Sequence, residues 1–174
     1  MNVMSAMPTV ENRRPKVAGA RSKSPTGERE RSLNQLIGFG PMSRVSTAFG
    51  EVPAQALRER DRVRTKTGEY LEIQKIDRIT LDEDFLQYHP GAQPILIRAG
   101  ALATNIPKAD VVLAPYQQID KSQPCLRSST NRAVDMLQKS HCQRKIEPMI
   151  TYTIFHCGQP ATVNCEGLWI DTAP

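Results

Sequence analysis

Short apolar runs separated by turn residues dominate the chain after Leu33. The run Arg44–Thr47 is typical of a short strand, and residues 48–51 follow it as a hairpin turn in which Gly50 can take a positive φ. A second hairpin signal lies at residues 66–69. Residues 58–62 between the two hairpins are too charged to be buried, so we expect an exposed turn there.

Two central segments give less direct signals. Tyr70, Ile73, Ile76 and Ile79 recur every three residues, which is typical of a helix, but their β-branched content and the hairpin before them favour one long, bulged strand. Residues 82–93 predict a polar loop. Residues 94–98 predict a strand, and the apolar run 109–114 predicts a short buried strand that ends at Pro115.

The last third of the chain contains one helical pattern and two further strands. Over residues 132–139, Ala133, Met136 and Leu137 would share one helix face, with Ser129 or Thr130 as the N-cap. Strands are predicted at residues 151–155 and 161–164 around a turn at 158–160. Many short strands with regular turn signals indicate an all-β domain with one short helix.

Charge is concentrated in the first residues of the chain. At 174 residues the sequence suits one domain plus a tail. Residues 1–32 show no hydrophobic period, and we expect a disordered arm there, followed by a β domain over residues 33–174. Most of the net charge of +5 comes from arginines and lysines of this arm. The body is close to neutral, so we expect no nucleic-acid face on it. Binding of nucleic acid or an anionic membrane by the basic arm stays open as an alternative.

Nothing in the sequence predicts a membrane span, because there is no apolar window of about 18 residues. The first residues also lack the apolar run of a signal peptide. We therefore expect a cytoplasmic protein, with export by a signal elsewhere in the chain left open. Cys125, Cys142, Cys157 and Cys165 are then expected to be free thiols.

Several segments, taken in order, resemble the Hint (hedgehog/intein) domain in the form seen in many bacterial proteins. They are residues 38–47, residues 50–53 with Leu57 and residues 60–63, residues 94–102, and Tyr152 with residues 166–172. Arg60 departs from the pattern, which has glycine at that position. The resemblance implies an all-β, pseudo-twofold, horseshoe-like domain whose two ends meet at a reaction centre.

The chain departs from the family at that reaction centre. The resemblance implies that an opening Cys attacks the preceding carbonyl, yet Gly38 occupies its position and has no side chain. The hydroxyls of Ser43 and Ser46 lie several residues further on and would face other directions. In the family's Thr/Ser-x-x-His block, Ala114 stands at the hydroxyl position and Gln117 at the histidine position. A glutamine can form hydrogen bonds but does not titrate near neutral pH.

The position of a later family histidine falls on Pro160, and the chain's own histidines lie elsewhere. His89 is expected on a surface loop. The adjacent pairs His141-Cys142 and His156-Cys157, together with Cys165, leave a zinc site open as an alternative. Neighbouring residues on a strand point to opposite faces, however, and no Cys-x-x-Cys occurs. No local signature supports a Ser-His-Asp or thiol protease.

The sequence therefore predicts a Hint-like domain that has lost autoprocessing and acts as a binding or structural module for an unknown protein partner. We assign no catalytic, cofactor-binding or metal-ligating residue and expect no cofactor. The main alternative is an active domain that performs an N-to-S or N-to-O acyl shift and cleaves itself near Gly38 with an unconventional nucleophile. The oligomeric state stays open.

Overall fold

The computed structural model describes residues 36–120, 122–123, 126 and 131–173. Its strands are β1 (Arg44–Thr47), β2 (Gly50–Pro53), β3 (Arg62–Arg64), β4 (Tyr70–Glu72), β5 (Lys75–Leu81), β6 (Ile95–Ile97), β7 (Val111–Leu113), β8 (Cys142–Arg144), β9 (Ile150–His156), β10 (Thr162–Cys165) and β11 (Leu168–Asp171). The helices are α1 (Glu83–Tyr88) and 3-10 helices at Ala54–Ala56, Pro90–Ala92 and Ala133–Gln138. The predicted arm, Cys125 and the predicted caps Ser129 and Thr130 lie outside the described residues.

One sheet has six strands and pairs the beginning of the domain with its end. Its order is β11-β10-β1-β3-β4, with β2 paired to β1, and all pairs are antiparallel. Side chains alternate along these strands, so Val45, Val63 and Val163 point inward and are fully buried. The apolar faces of the strands thus form the main core.

The remaining strands are joined by the five residues before Pro41, which we call the leading segment (residues 36–40). Strands β5 and β9 pair with each other, and β7, β6 and β8 pair in that order. Phe39 forms antiparallel bridges to Leu113 at the end of β7 and to Thr153 in β9. The leading segment therefore lies between β7 and β9, where its backbone is held on both sides.

Most of the predicted strands are confirmed, and the protein is mainly β. The predicted strand at Arg44–Thr47 matches β1, and Gly50 and Gly68 in the two hairpin turns both have positive φ values, of 105° and 88°. The strands predicted at residues 94–98 and 109–114 contain β6 and β7. These segments combine a clear alternation or apolar run with glycine or proline at their ends, so local signals were sufficient.

The prediction of one long strand from Tyr70 onward is wrong, because the chain leaves the first sheet at Ile73. The side chain of Ile73 is fully buried, and its N–H donates to the carbonyl of Asp61 at 2.8 Å. Gln74 donates to the carbonyl of His156 at 2.8 Å and thereby begins the pairing with β9. The segment thus consists of β4 and β5, which lie in different sheets.

The polar loop predicted at residues 82–93 is also wrong, since it contains α1 and the 3-10 helix Pro90–Ala92. The Asp82 carboxylate accepts a hydrogen bond from the N–H of Phe85 at 2.9 Å, which is the geometry of an N-cap. Leu86 is only 2% exposed and anchors the helix in a second apolar cluster. The cap and the buried leucine were present in the sequence, but the helix is too short to show a period.

The helix predicted at residues 132–139 exists as a 3-10 helix, and its details differ. Arg132 occupies the N-cap position, where its N–H donates to the Asp135 carboxylate at 3.1 Å. Ala133 and Met136 are buried, whereas Leu137 is 37% exposed. A 3-10 helix repeats every three residues, so Leu137 is rotated away from the face that the other two share.

Candidate functional site

Gly38 lies in the middle of the leading segment, where backbone hydrogen bonds on both sides fix its position. Phe39 and Thr153 exchange N–H···O bonds of 2.9 Å with each other. On the opposite side, Ala114 donates to the carbonyl of Gly38 at 2.9 Å and Gly40 donates to the carbonyl of Val112 at 2.8 Å. The peptide groups around Gly38 are therefore held by β7 and β9.

The N–H of Gly38 is bound by a buried side chain rather than by a strand. It donates to Oε1 of Gln117 at 2.8 Å. The amide Nε2 of Gln117 donates to the carbonyl of Asp171 at 2.6 Å and more weakly to that of Gln118 at 3.3 Å. Since Gln117 is only 3% exposed, these bonds replace its contacts with water. Gln117 thus joins the leading segment to β11.

A tight turn after β7 brings Gln117 into this position. Pro115 ends the strand, and the N–H of Gln117 donates to the carbonyl of Ala114 at 3.1 Å. The following residues pair with the end of the domain, because Ile119 forms an antiparallel bridge to Ile170. The position of Gln117 therefore depends on the closing strand as well as on the local turn.

Gly38 has a backbone conformation and surroundings that disfavour a side chain. Its φ is 136°, a value that L-residues rarely adopt. A Cβ built on Gly38 would lie 3.0 Å from Cβ of Tyr152 and 3.2 Å from both the carbonyl oxygen of Thr153 and Cγ1 of Ile154. A residue with a side chain at this position would need the backbone or β9 to shift.

The two nearby hydroxyl groups are already engaged elsewhere. Ser43 is 1% exposed, and its Oγ donates to the carbonyl of Val112 at 2.7 Å and accepts from the N–H of Val112 at 2.9 Å. Ser46 Oγ lies 2.6 Å from Oε1 of Glu51 and 3.1 Å from Oδ1 of Asn164. Their hydrogen-bonding partners therefore lie on β7 and within the six-stranded sheet.

Gly38 and Gln117 are in contact, and the sequence resemblance assigns both positions to the reaction centre of the Hint domain. The Hint domain family matches residues 37–173 of the chain. The chain belongs to the Hint domain family. The match begins one residue before Gly38 and ends two residues after Asp171, so the contact that Gln117 makes between them joins the two ends of the Hint domain.

Solved inteins are similar to this Hint domain in overall structure. The MchDnaB-1 intein has 11% sequence identity and a TM-score of 0.45, with 78% of this chain and 99% of that chain covered. The gp41-1 intein has 9% identity and a TM-score of 0.45, with 80% of this chain and 99% of that chain covered. A triply substituted variant of the gp41-1 intein has 8% identity and a TM-score of 0.47, with coverages of 80% and 100%. No curated protein matches the sequence.

The other residues singled out in the sequence are spread over the Hint domain. Ala114 is fully buried in the second apolar cluster. Pro160 is exposed in the turn after β9, where it lines an open cleft of about 540 Å³ together with Lys66 and Asp171. His89 contacts the ring of Phe85, with 4.7 Å between ring centroids. The structure brings only Gly38, Ala114 and Gln117 together among the predicted site positions.

The histidine and cysteine pairs do not converge. His141 is exposed, while Nε2 of His156 lies 3.6 Å from the Asp77 carboxylate. Among the described residues, no three His, Cys, Asp or Glu side chains are grouped so that they could hold a metal ion. Burial raises the pKa of the Cys142 thiol, raises that of Cys157 to about 11, and raises that of Cys165 well above its usual value. The described thiols are therefore poor nucleophiles at neutral pH.

The backbone carbonyl of Asp171 is a further hydrogen-bonding partner at this site, and the sequence pattern does not indicate it. It accepts the hydrogen bond from Gln117 Nε2 and so determines which way the glutamine amide faces. A backbone acceptor carries no residue-type signal, so only the pairing of β11 with residues 118–120 reveals it.

In the part of the chain that the structure describes, no helix has the length and apolar character to cross a membrane.

Proposed function

We propose that this Hint domain, of the form seen in bacterial proteins, has lost autoprocessing and acts as a binding or structural module for a protein partner. The observation that carries the proposal is the hydrogen bond from the Gly38 N–H to Gln117 Oε1. It lies at the peptide bond that an active family member would cleave, and it involves two residues that lack the required chemistry.

The first missing group is the nucleophile. An acyl shift at the Ile37-Gly38 bond requires a thiol or hydroxyl on residue 38 to attack the carbonyl of Ile37. Glycine supplies neither, and its φ of 136° leaves no easy position for a side chain. Ser43, the nearest hydroxyl named as an alternative, uses its donor and an acceptor on Val112.

The second missing group is the acid that protonates the leaving amide nitrogen. Gln117 presents its oxygen, an acceptor, to the N–H of Gly38 and directs its Nε2 donor toward the carbonyl of Asp171. The glutamine therefore stabilises the intact amide and offers no proton to it. Its two bonds support a static role, in which the glutamine fastens the ends of the domain together.

The experiment is an intact-mass measurement of the full chain carrying a tag at each end, before and after incubation with dithiothreitol. We expect one full-length mass that thiol does not change. A fragment beginning at or near Gly38 would overturn the proposal and support the active alternative. In that case Ser43→Ala, with Ser46→Ala as the matched control, would identify the hydroxyl responsible.

The alternative role of the basic arm is tested separately. Binding of the full chain to duplex DNA or to anionic vesicles is measured at increasing salt. Arm-driven binding would weaken steeply, because each phosphate contact releases counterions. We expect no such binding at physiological salt, because Glu11, Glu28 and Glu30 reduce the net charge of the arm to +4 and few phosphates would be neutralised.

A further inference from the structure

A second cleft lies between α1 and the loop before β9, away from Gly38. It has a volume of about 380 Å³, with Leu86, Pro90, Ile146 and Pro148 among its lining residues and Glu83 and Glu147 beside them. Ile146 is 76% exposed, although isoleucine is normally buried. Met149, next to Pro148, is 62% exposed. The cleft thus presents apolar surface that the described residues leave uncovered.

The rim of this cleft is acidic on the side of α1. Asp82, Glu83 and Asp84 are consecutive and exposed, and Glu83 is the one of the three that lines the cleft. Asp82 caps the helix, and among the described residues neither Glu83 nor Asp84 forms an ion pair. On the opposite side, Glu147 pairs with Lys145 at 2.5 Å. The guanidinium of Arg144 donates to the carbonyls of Gly91 and Gln93 and so faces the protein. The unpaired charge at the cleft is therefore negative.

The chain enters the described domain close to this cleft. Leu36 is 8% exposed and packs in the same apolar cluster as Leu86, which also lines the cleft. Residues 29–35 directly precede Leu36 and read Arg-Glu-Arg-Ser-Leu-Asn-Gln. In an extended chain Leu33 can lie roughly 10 Å from Leu36 and Arg29 roughly 24 Å from it, and a helix is about 10 Å wide. These residues are long enough to cross α1 and reach the cleft.

We propose that residues 29–35 of the same chain bind in this cleft. Leu33 is the large apolar side chain of the segment and would pack against the exposed Pro90 and Ile146. Arg29 and Arg31 then lie near the acidic start of α1, where opposite charges attract. The segment is a better match than a second copy of the domain, because it is tethered to Leu36 beside the cleft and therefore has a high effective concentration there.

The test uses limited trypsin digestion of the full chain. Trypsin can cleave two Arg-Ser bonds in the arm, of which one lies in the proposed contact and the other serves as the reference. Cleavage after Arg31 is followed by mass spectrometry relative to cleavage after Arg21, which lies outside the proposed contact. We compare the natural protein with Ile146→Asp and with Glu83→Lys. Phe49→Asp is the matched control, because Phe49 is 87% exposed at the tip of the β1-β2 hairpin.

If the segment is bound, Ile146→Asp and Glu83→Lys increase the ratio of Arg31 to Arg21 cleavage by about tenfold, as local opening governs access to the bond. Phe49→Asp leaves the ratio unchanged. An equal ratio in all variants with unchanged melting temperatures would overturn the proposal. Protection of Arg31 that grows with protein concentration, together with a dimer in sedimentation, would also overturn it and assign the cleft to a second copy.

Discussion

Replacement of Gln117 by leucine is the most direct perturbation of the Hint domain's central contact. The two side chains have similar size, but leucine offers neither the acceptor for the Gly38 N–H nor the donor for the Asp171 carbonyl. The Gly38 N–H would then be buried without a partner, and the carbonyl of the half-buried Asp171 would lose its hydrogen bond from Gln117. The change therefore tests whether the glutamine holds the two ends of the domain together.

The magnitude follows from the groups left without partners. Each buried, unpaired backbone group costs about 1–3 kcal/mol. Burying the apolar leucine side chain offsets roughly 1 kcal/mol of this cost. The cost is smaller at the half-buried Asp171 carbonyl, so we expect the free energy of unfolding to fall by about 2 kcal/mol in total, against the roughly 5–15 kcal/mol that is typical of a domain.

The assay is urea unfolding at about 25 °C, followed by the fluorescence of Trp169, the chain's single tryptophan. Trp169 is a suitable reporter because its carbonyl accepts from Asp120, three residues after Gln117. The matched control is Gln118→Leu, which makes the same substitution at an exposed neighbour and should change stability by less than about 0.5 kcal/mol. If Gln117→Leu were as stable as this control, the reasoning about the buried hydrogen bonds would be refuted.

Three further predictions concern backbone strain and thiol reactivity. Arg60→Gly should raise the free energy of unfolding by up to about 1 kcal/mol, because Arg60 has a φ of 74°; urea unfolding checks this, and Arg62→Gly within β3 should do the opposite. Gly38→Cys and Gly38→Ala should each lower the free energy of unfolding by about 1–3 kcal/mol, since both place a Cβ against Tyr152. Urea unfolding checks this, and a loss of stability with cysteine but not with alanine would contradict the steric explanation. The buried thiols of Cys142, Cys157 and Cys165 should alkylate slowly at about pH 8, because their raised pKa values keep them protonated. Peptide mapping after iodoacetamide treatment checks this, and rapid labelling of the native protein would contradict it.

Local patterns predicted the strands well where alternation and turn residues agreed. β1 and its hairpin were visible because a short run with β-branched Val45 and Thr47 is followed by Gly50, whose positive φ suits the turn. The break at Ile73 was not visible, since it depends on a hydrogen bond to Asp61 and on β9, which lies far along the chain. A period of three in the side chains carries no information about which sheet a strand joins.

The sequence indicated which residues occupy the candidate site, but it did not indicate the hydrogen bonds between them. The order of family-like segments placed Gly38 and Gln117 at corresponding positions, and the structure brings them within 2.8 Å across 79 residues of sequence. The third partner, the carbonyl of Asp171, could not be predicted, because a backbone acceptor is the same in every residue. Its role follows only from the way β11 pairs with the chain after Gln117.

The location of the leading segment also constrains how this protein can be made. Phe39 is among the first described residues to leave the ribosome, but its two pairing partners, Leu113 and Thr153, are synthesised much later. At roughly 5–20 residues per second, Thr153 follows Phe39 by several seconds at least. During that time the nascent segment can pair with β7 at most, so the pairing on both of its sides can be completed only after β9 has been synthesised.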